Sequence, residues 1–240
     1  MWQKTGLYEK HIKRIFDVAI SLAVIILFGW LYILLAVLVR IKLGSPVIFA
    51  QKRPGQIDCK TGQEKIFTLY KFRTMTDESD VAGNLLPDEA RLTPFGKKLR
   101  SMSLDELPEI WNVLKGDMSL IGPRPQLVRD MVFMSQEYRR RHSVRPGLSG
   151  LAQVHGRNAI DWEKKLDYDL RYVDRITFCE DMKIIWETVC KVLLQEGITE
   201  EGSMTATDYG YYLLRAGKID LATYEEKQEE ARKLLEQADM

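Results

Sequence analysis

The chain reads as an α+β protein, mostly helical, with one helix suited to a membrane. Three observations lead there. Val18 to Val39 runs 22 residues without a charge, and a helix of that length, about 33 Å, can cross a bilayer core. Lys65 to Met75 is rich in aromatic and β-branched residues and reads as a strand. Beyond it, apolar residues recur at helical spacing, first at Leu107, Ile110, Trp111 and Leu114. The 240 residues suffice for one large or two small domains.

The apolar run is flanked by Lys4, Lys10, Lys13 and Arg14 on one side and by Arg40, Lys42, Lys52 and Arg53 on the other. Basic flanks at both ends give no orientation under the positive-inside rule, as expected if both ends stay on one face. Gly29 sits mid-run beside Trp30. It permits a break but does not force one, costing about 1 kcal/mol where proline costs about 3. These residues alone leave a spanning helix and a re-entrant one open. Charge is graded along the chain: net +6 over residues 1–60, zero over 61–199 and −5 over 200–240. The basic end carries the apolar run, which points to an anionic lipid surface rather than to nucleic acid. Cys59, Cys179 and Cys190 are scattered and odd in number, so neither a disulfide framework nor a zinc site is expected.

In the strand, period two sets Lys71 and Arg73 on the face of Phe67 and Leu69, either as a strand end at solvent or as an anion site. Asp77 to Asp88 reads as a polar loop. Thr93-Pro94 starts a short helix that ends in Lys97, Lys98 and Arg100. Ser103-Leu104-Asp105-Glu106 then fits the S-x-x-E capping box of a helix that Gly116 ends. Unpaired N–H groups at such a start favour anions and hold a carboxylate ionised, so Asp105-Glu106 reads either as a cap or as a catalytic pair. Arg124 stands between Pro123 and Pro125 in a stiff turn. Arg139-Arg140-Arg141-His142 reads as a solvated helix end or a patch for lipid phosphates. On a helix from about Asp161 to Asp174, Asp169 falls about 20° from Trp162 and about 40° from Val173. A carboxylate inside an apolar stripe needs a partner or a ligand, and Arg157 is the nearest candidate. Phe178 to Leu194 reads as an amphipathic helix with Met182, Ile185, Val189, Val192 and Leu193 on one side. Leu221 to Met240 reads as an acidic helix.

Taken in order, several blocks look familiar together. They are Lys13-Arg14-Ile15-Phe16-Asp17, Phe49 to Gly55, Tyr70-Lys71-Phe72-Arg73-Thr74-Met75, Arg100 with Ser103 to Pro108, and Asn112 to Ser119. Gly122-Pro123-Arg124-Pro125, Val144 to Val154 and Gly156-Arg157-Asn158 complete the set. The ordered set closely resembles the bacterial sugar transferase family, the monotopic phosphoglycosyl transferases, from about residue 8 to about residue 205. It is most similar to the short members that start protein N-glycosylation with a phospho-bacillosamine-type sugar.

The resemblance implies a single phosphoglycosyl transferase domain over 1–205 at the cytoplasmic face of a bacterial inner membrane. In it, a re-entrant helix–break–helix at 15–41 precedes a small catalytic domain with surface amphipathic helices and a short β-hairpin. Residues 206–240 are left as an acidic helical extension. Close members carry Ser-Pro where Gly29-Trp30 stands here. The implied reaction moves a sugar 1-phosphate from a UDP-sugar, an N-acetylated amino or diamino sugar, to polyprenyl (undecaprenyl) phosphate in the lipid bilayer. It releases UMP and hands the lipid-linked sugar to downstream glycosyltransferases. By the same resemblance Asp105 is the nucleophile that forms a phosphosugar-aspartyl intermediate, Mg²⁺ sits beside it, and Glu106 and Lys71 complete the catalytic group. Phosphoryl transfer relies on positive charge, which Arg73, Arg100, Arg124, Arg145 and Arg157 are placed to supply. Asp169 matches another family position at the substrate. A membrane-bound hydrolase of nucleotide diphosphosugars would share most of this machinery but release UMP without the lipid. A non-enzymatic anchor would use neither Asp105 nor Lys71.

Overall fold

A π-helical turn at Tyr8–Ile12 runs directly into α1, Lys13–Leu43, which the structure, a computed structural model, shows as one unbroken helix. Residues 6–156, 160–194 and 208–239 are described. The expected break at Gly29 is absent: the helical ladder continues through it. The physical reason lies along the inner face. Asp17, Ser21, Leu35, Val39 and Leu43 are all buried, and about 100° per residue puts them on one stripe. The helix is thus held against the rest of the protein at both ends, and interrupting it would forfeit one set of contacts. Ile15, Leu22, Ile26, Trp30, Ile33, Val37 and Ile41 face outward and are exposed. Tyr8–Leu43 is long and apolar enough to cross a membrane.

The outer end of α1 packs Leu35, Val39 and Leu43 against Phe72 and Leu99. Its inner end is fixed by polar bonds. Arg14 Nη2 donates to Leu114 O at 2.7 Å, and Asp17 Oδ1 accepts from Leu120 N at 2.9 Å and from Ser119 Oγ at 3.0 Å.

After α1 an antiparallel hairpin forms from β1, Ile48–Ile57, and β2, Glu64–Phe72, with Ile48 opposite Phe72 and Arg53 opposite Phe67. The strand predicted over 65–75 ends three residues early, where Arg73 turns to bond backbone carbonyls. Short helices follow: α2, Asp88–Arg91; α3, Pro94–Ser101; and α4, Glu109–Lys115. Thr93 Oγ1 caps α3 by accepting from Gly96 N, as the Thr-Pro start predicts. Gly116 ends α4 at φ +91°, a conformation that glycine adopts without strain. The α4 side chain of Asn112 substitutes for a missing strand: Oδ1 accepts from Tyr70 N at 3.2 Å and Nδ2 donates to Thr68 O at 2.7 Å. These bonds dock α4 on the free edge of β2. Phe67 and Leu69 complete the joint with Val113 and Met118.

A second, parallel pair was not anticipated: β3, Ser119–Ile121, beside β4, Gly147–Ser149. Between them lie α5, Val128–Met131, and α6, Gln136–Arg139. Beyond them come α7, Leu151–Val154, α8, Trp162–Asp174, and α9, Phe178–Leu194. The bounds of α8 and α9 match the periodicity. In α9, Asp181 and Ile184 are buried and Ile185 packs beside them, as expected of the apolar side, while Trp186, Val189 and Leu193 face outward and are exposed. The chain closes with α10, Tyr209–Arg215, and α11, Leu221–Gln237. These are no loose tail. Tyr209 and Leu213 pack on Met134, Trp162 and Leu166, and Ala231 packs on Val128, Met131 and Val132. The expected domain boundary near residue 205 lies outside the described residues.

Candidate active site

Asp105-Glu106 sits in a 3₁₀ turn, Leu104–Glu106, and not at the start of an α-helix. The capping box is not formed: Ser103 adopts a left-handed conformation (φ +54°), and its side chain makes no capping bond. Pro108 explains this. It has no N–H to continue a ladder from residue 104, so the chain makes tighter bonds instead, Glu106 N to Ser103 O at 3.3 Å and Leu107 N to Leu104 O at 3.4 Å. These N–H groups are therefore spent, and they do not hold Asp105 ionised as the sequence reading had them do.

Side-chain cations do so only in part. Asp105 is 7% exposed, and its carboxylate accepts no hydrogen bond among the described residues. Its pKa is raised above the ordinary carboxylate value: burial raises it most and the Glu106 charge adds to this, while Lys71, Arg100 and Arg124 offset only part of the rise. An oxygen that accepts no hydrogen bond keeps its lone pairs for attack.

Glu106 has the opposite surroundings. Lys71 Nζ donates to its Oε1 at 2.8 Å, and Arg124 grips both oxygens, with Nη2 on Oε1 and Nη1 on Oε2 at 3.5 Å. Burial alone would raise its pKa, but Arg124 and Lys71 hold it well below the usual carboxylate range. Lys71 is bracketed from behind by Glu109, whose Oε1 lies 3.2 Å from Nζ. Glu109 is fully buried on α4, and burial pushes it up to about 7. Spacing alone did not mark it as a site residue, because position 109 reads as an ordinary first-turn acid.

The sequence-predicted residues thus divide. Asp105, Glu106, Lys71 and Arg124 meet in one cleft. Arg100 borders it, its Nε donating to Thr74 Oγ1 at 3.0 Å. Arg73 does not join them: it is buried and committed to Ser45 O at 2.7 Å, Met75 O at 2.8 Å and Asp77. Arg145 lies under the base of α1, with Nε donating to Gly116 O at 3.0 Å. Arg157 lies outside the described residues. Asp169 has a partner, but it is Arg141, 2.7 Å away, and both are buried. The Arg139–His142 run is likewise no open basic patch. Arg139 and His142 both pair with the buried Glu64, and Arg140 pairs with Asp174.

Mg²⁺ binds through one or two carboxylates, substrate phosphates and retained waters. Asp105 offers one uncommitted carboxylate, and the described residues contain no cluster of three or more metal-ligating side chains. This donor set fits a cation completed by phosphate rather than a closed protein cage. Beside the cleft an apolar groove of about 170 Å³ lies between α1 and α4, lined by Ile25, Phe28, Tyr32, Leu107, Ile110 and Trp111. Trp111, read as part of a buried helix face, is half-exposed because it borders this groove.

The family described as bacterial sugar transferase matches residues 8–195. The sugar transferase EpsL of Bacillus subtilis is 49% identical over 195 residues, covering 81% of this chain and 94% of that protein. A UDP-glucose:undecaprenyl-phosphate glucose-1-phosphate transferase of Klebsiella pneumoniae is 39% identical over 189 residues, 75% of this chain and 39% of its own length. The undecaprenyl-phosphate galactose phosphotransferase of Salmonella typhimurium is 34% identical over 206 residues, 79% of this chain and 42% of its own length. The chain therefore spans less than half of these two larger relatives and nearly all of EpsL. It is an enzyme of the phosphoglycosyl transferase kind, and it belongs to the bacterial sugar transferase family.

Proposed function

We propose that the protein transfers a sugar 1-phosphate from a UDP-sugar to polyprenyl phosphate at the cytoplasmic face of the bacterial inner membrane. The observation that carries this is the contrast between two adjacent carboxylates, Asp105 without a hydrogen-bond donor and Glu106 held by Lys71 and Arg124. An Asp105 oxygen attacks the sugar-bearing phosphorus of the donor. The bond to that phosphorus forms as its bond to the bridging oxygen breaks, and UMP leaves with that oxygen. The polyprenyl phosphate oxygen then attacks the same phosphorus, restoring the Asp105 carboxylate and forming polyprenyl diphosphosugar. Lys71, Arg100 and Arg124 orient the diphosphate and offset its charge. Mg²⁺, held by Asp105 and the phosphates, would add charge neutralisation.

Support for the acceptor comes from the relatives' names and from the apolar groove next to Glu106, which is suited to an isoprenoid tail. Support for a membrane comes from the outward apolar faces of α1 and α9. The donor is a hexose or N-acetylated amino sugar carried on UDP. Incubating the protein with a panel of UDP-sugars, Mg²⁺ and undecaprenyl phosphate should release UMP with one donor preferred. Release that continues at the same rate without the lipid would instead mark a hydrolase. Retained activity in Asp105→Asn would remove Asp105 as the nucleophile.

A further inference from the structure

The segment Pro123-Arg124-Pro125 has its carbonyls bonded by three separate parts of the chain. Pro123 O accepts from Gly147 N at 3.0 Å, Arg124 O from Arg141 Nη2 at 2.6 Å, and Pro125 O from Arg53 Nη1 at 3.1 Å. The two prolines fix their own φ angles and offer no N–H. They do not fix the dihedrals of Arg124 itself, and Arg141 holds the peptide plane after Arg124 by its carbonyl.

Arg141 is itself held. Its Nε donates to Asp169 Oδ2 at 2.9 Å, and Nη1 lies 3.1 Å from His142 Nε2. Arg141 and Asp169 are each 1% exposed, so neither reaches substrate or solvent. A buried ion pair is a poor source of net stability, since desolvation of both charges offsets their attraction. A rigid fork that can bond a carboxylate and a carbonyl at once is, however, well suited to fixing a geometry. Asp169 Oδ1 is buried without a hydrogen-bond partner among the described residues, so the pair is not built for maximal satisfaction of its own groups.

We propose that Arg141, oriented by Asp169, is a positioning residue for Arg124. It sets the direction from which the Arg124 guanidinium enters the cleft and thereby the grip on the donor diphosphate. This rests on the reading of Arg124 as a diphosphate ligand.

The test uses the full chain in detergent or vesicles and measures UMP release against UDP-sugar concentration. The double variant Arg141→Met/Asp169→Leu removes both charges and leaves neither buried alone. It should melt within a few degrees of the parent yet raise KM for the donor about tenfold, a change of about 1.4 kcal/mol, with a smaller fall in kcat. Arg141→Lys keeps a charge opposite Asp169 but loses the fork, and it should raise KM in the same direction. Partial unfolding would lower the active fraction and leave KM where it was. A wild-type KM in whichever of the two variants folds overturns the proposal, provided Arg124→Ala does raise KM. If Arg124→Ala leaves KM unchanged, the reading of Arg124 as a diphosphate ligand is the part that fails, and the proposal falls with it.

Discussion

Glu106 pairs with Arg124 itself, and Asp169 pairs with the Arg141 that bonds the Arg124 carbonyl, and the surroundings of the two carboxylates differ in one respect above all. Glu106 meets the guanidinium in a cleft where its side chain is 20% exposed, Lys71 18% and Arg124 36%. Asp169 meets Arg141 behind the loop, where the two side chains are 2% and 1% exposed. Both are charge-assisted pairs of short length, so pair geometry alone would rank them alike. Access to water separates them. A pair at the cleft can exchange one anion for another, and a phosphate can take the place of Glu106 on Lys71 and Arg124. A pair sealed from solvent has nothing to exchange with and can only hold a shape. A residue's use is set here by what can replace its partner.

The same substitution made at two aspartates should break this symmetry most plainly. Asp105→Asn should lower UMP release by at least about 10³-fold. Its melting temperature should stay level or rise, because a neutral amide removes a charge that burial disfavours. Asp169→Asn should do the reverse and leave Arg141 as a buried charge with weaker pairing. A loss of about 3 kcal/mol would lower the melting point by about 10 °C for a chain of this size, with part of the turnover retained. Calorimetry together with a UMP assay on both proteins decides the matter, and equal effects on stability would dissolve the distinction.

Glu109 sharpens the comparison from the side of pH. Its pKa rises from the ordinary 4.5 to about 7 in the folded state, so the folded protein binds a proton more tightly than the unfolded chain. Its contribution is therefore largest below about pH 4.5 and is lost as pH rises through about 7. That loss is on the order of 3 kcal/mol. Glu109→Gln should flatten the stability profile over this window. A difference in melting temperature between pH 5 and pH 7.5 that persists unchanged in the variant would show that Glu109 is not its source. The smallest effect belongs to an ion pair at the surface. Lys218 and Glu163 are 48% and 44% exposed, and Lys218→Ala should leave the melting temperature close to that of the parent, with the ion pair's share of any difference lost in high salt.

Much of the fold was legible where the controlling interactions are local. The Thr93-Pro94 start, the Gly116 stop and the bounds of α8 and α9 depend on neighbours within a turn or two. Asp169 was legible as a carboxylate in need of a partner, because helical spacing alone puts it on the apolar stripe. Its partner was not. Arg141 lies 28 residues away and sits in a run of cations that reads as a surface patch, and only tertiary packing separates the buried arginine from its paired neighbours. The capping box failed for a local reason that was also visible, since Pro108 lies two residues after Glu106. The unbroken α1 was not legible, because its continuity depends on an inner face gripped by Phe72, Leu99, Leu114, Ser119 and Leu120, all distant in sequence. Arg73 and Arg145 carried the right charge for a phosphate, but backbone carbonyls claim them first.

Ser103 is the one non-glycine residue with a positive φ among the described residues. It stands two positions before Asp105, the proposed nucleophile. A left-handed L-residue costs about 1 kcal/mol, and glycine at that position would be free of the cost while giving the turn more conformers to visit. The cost carried at position 103 narrows the conformers open to the turn that holds Asp105 and Glu106.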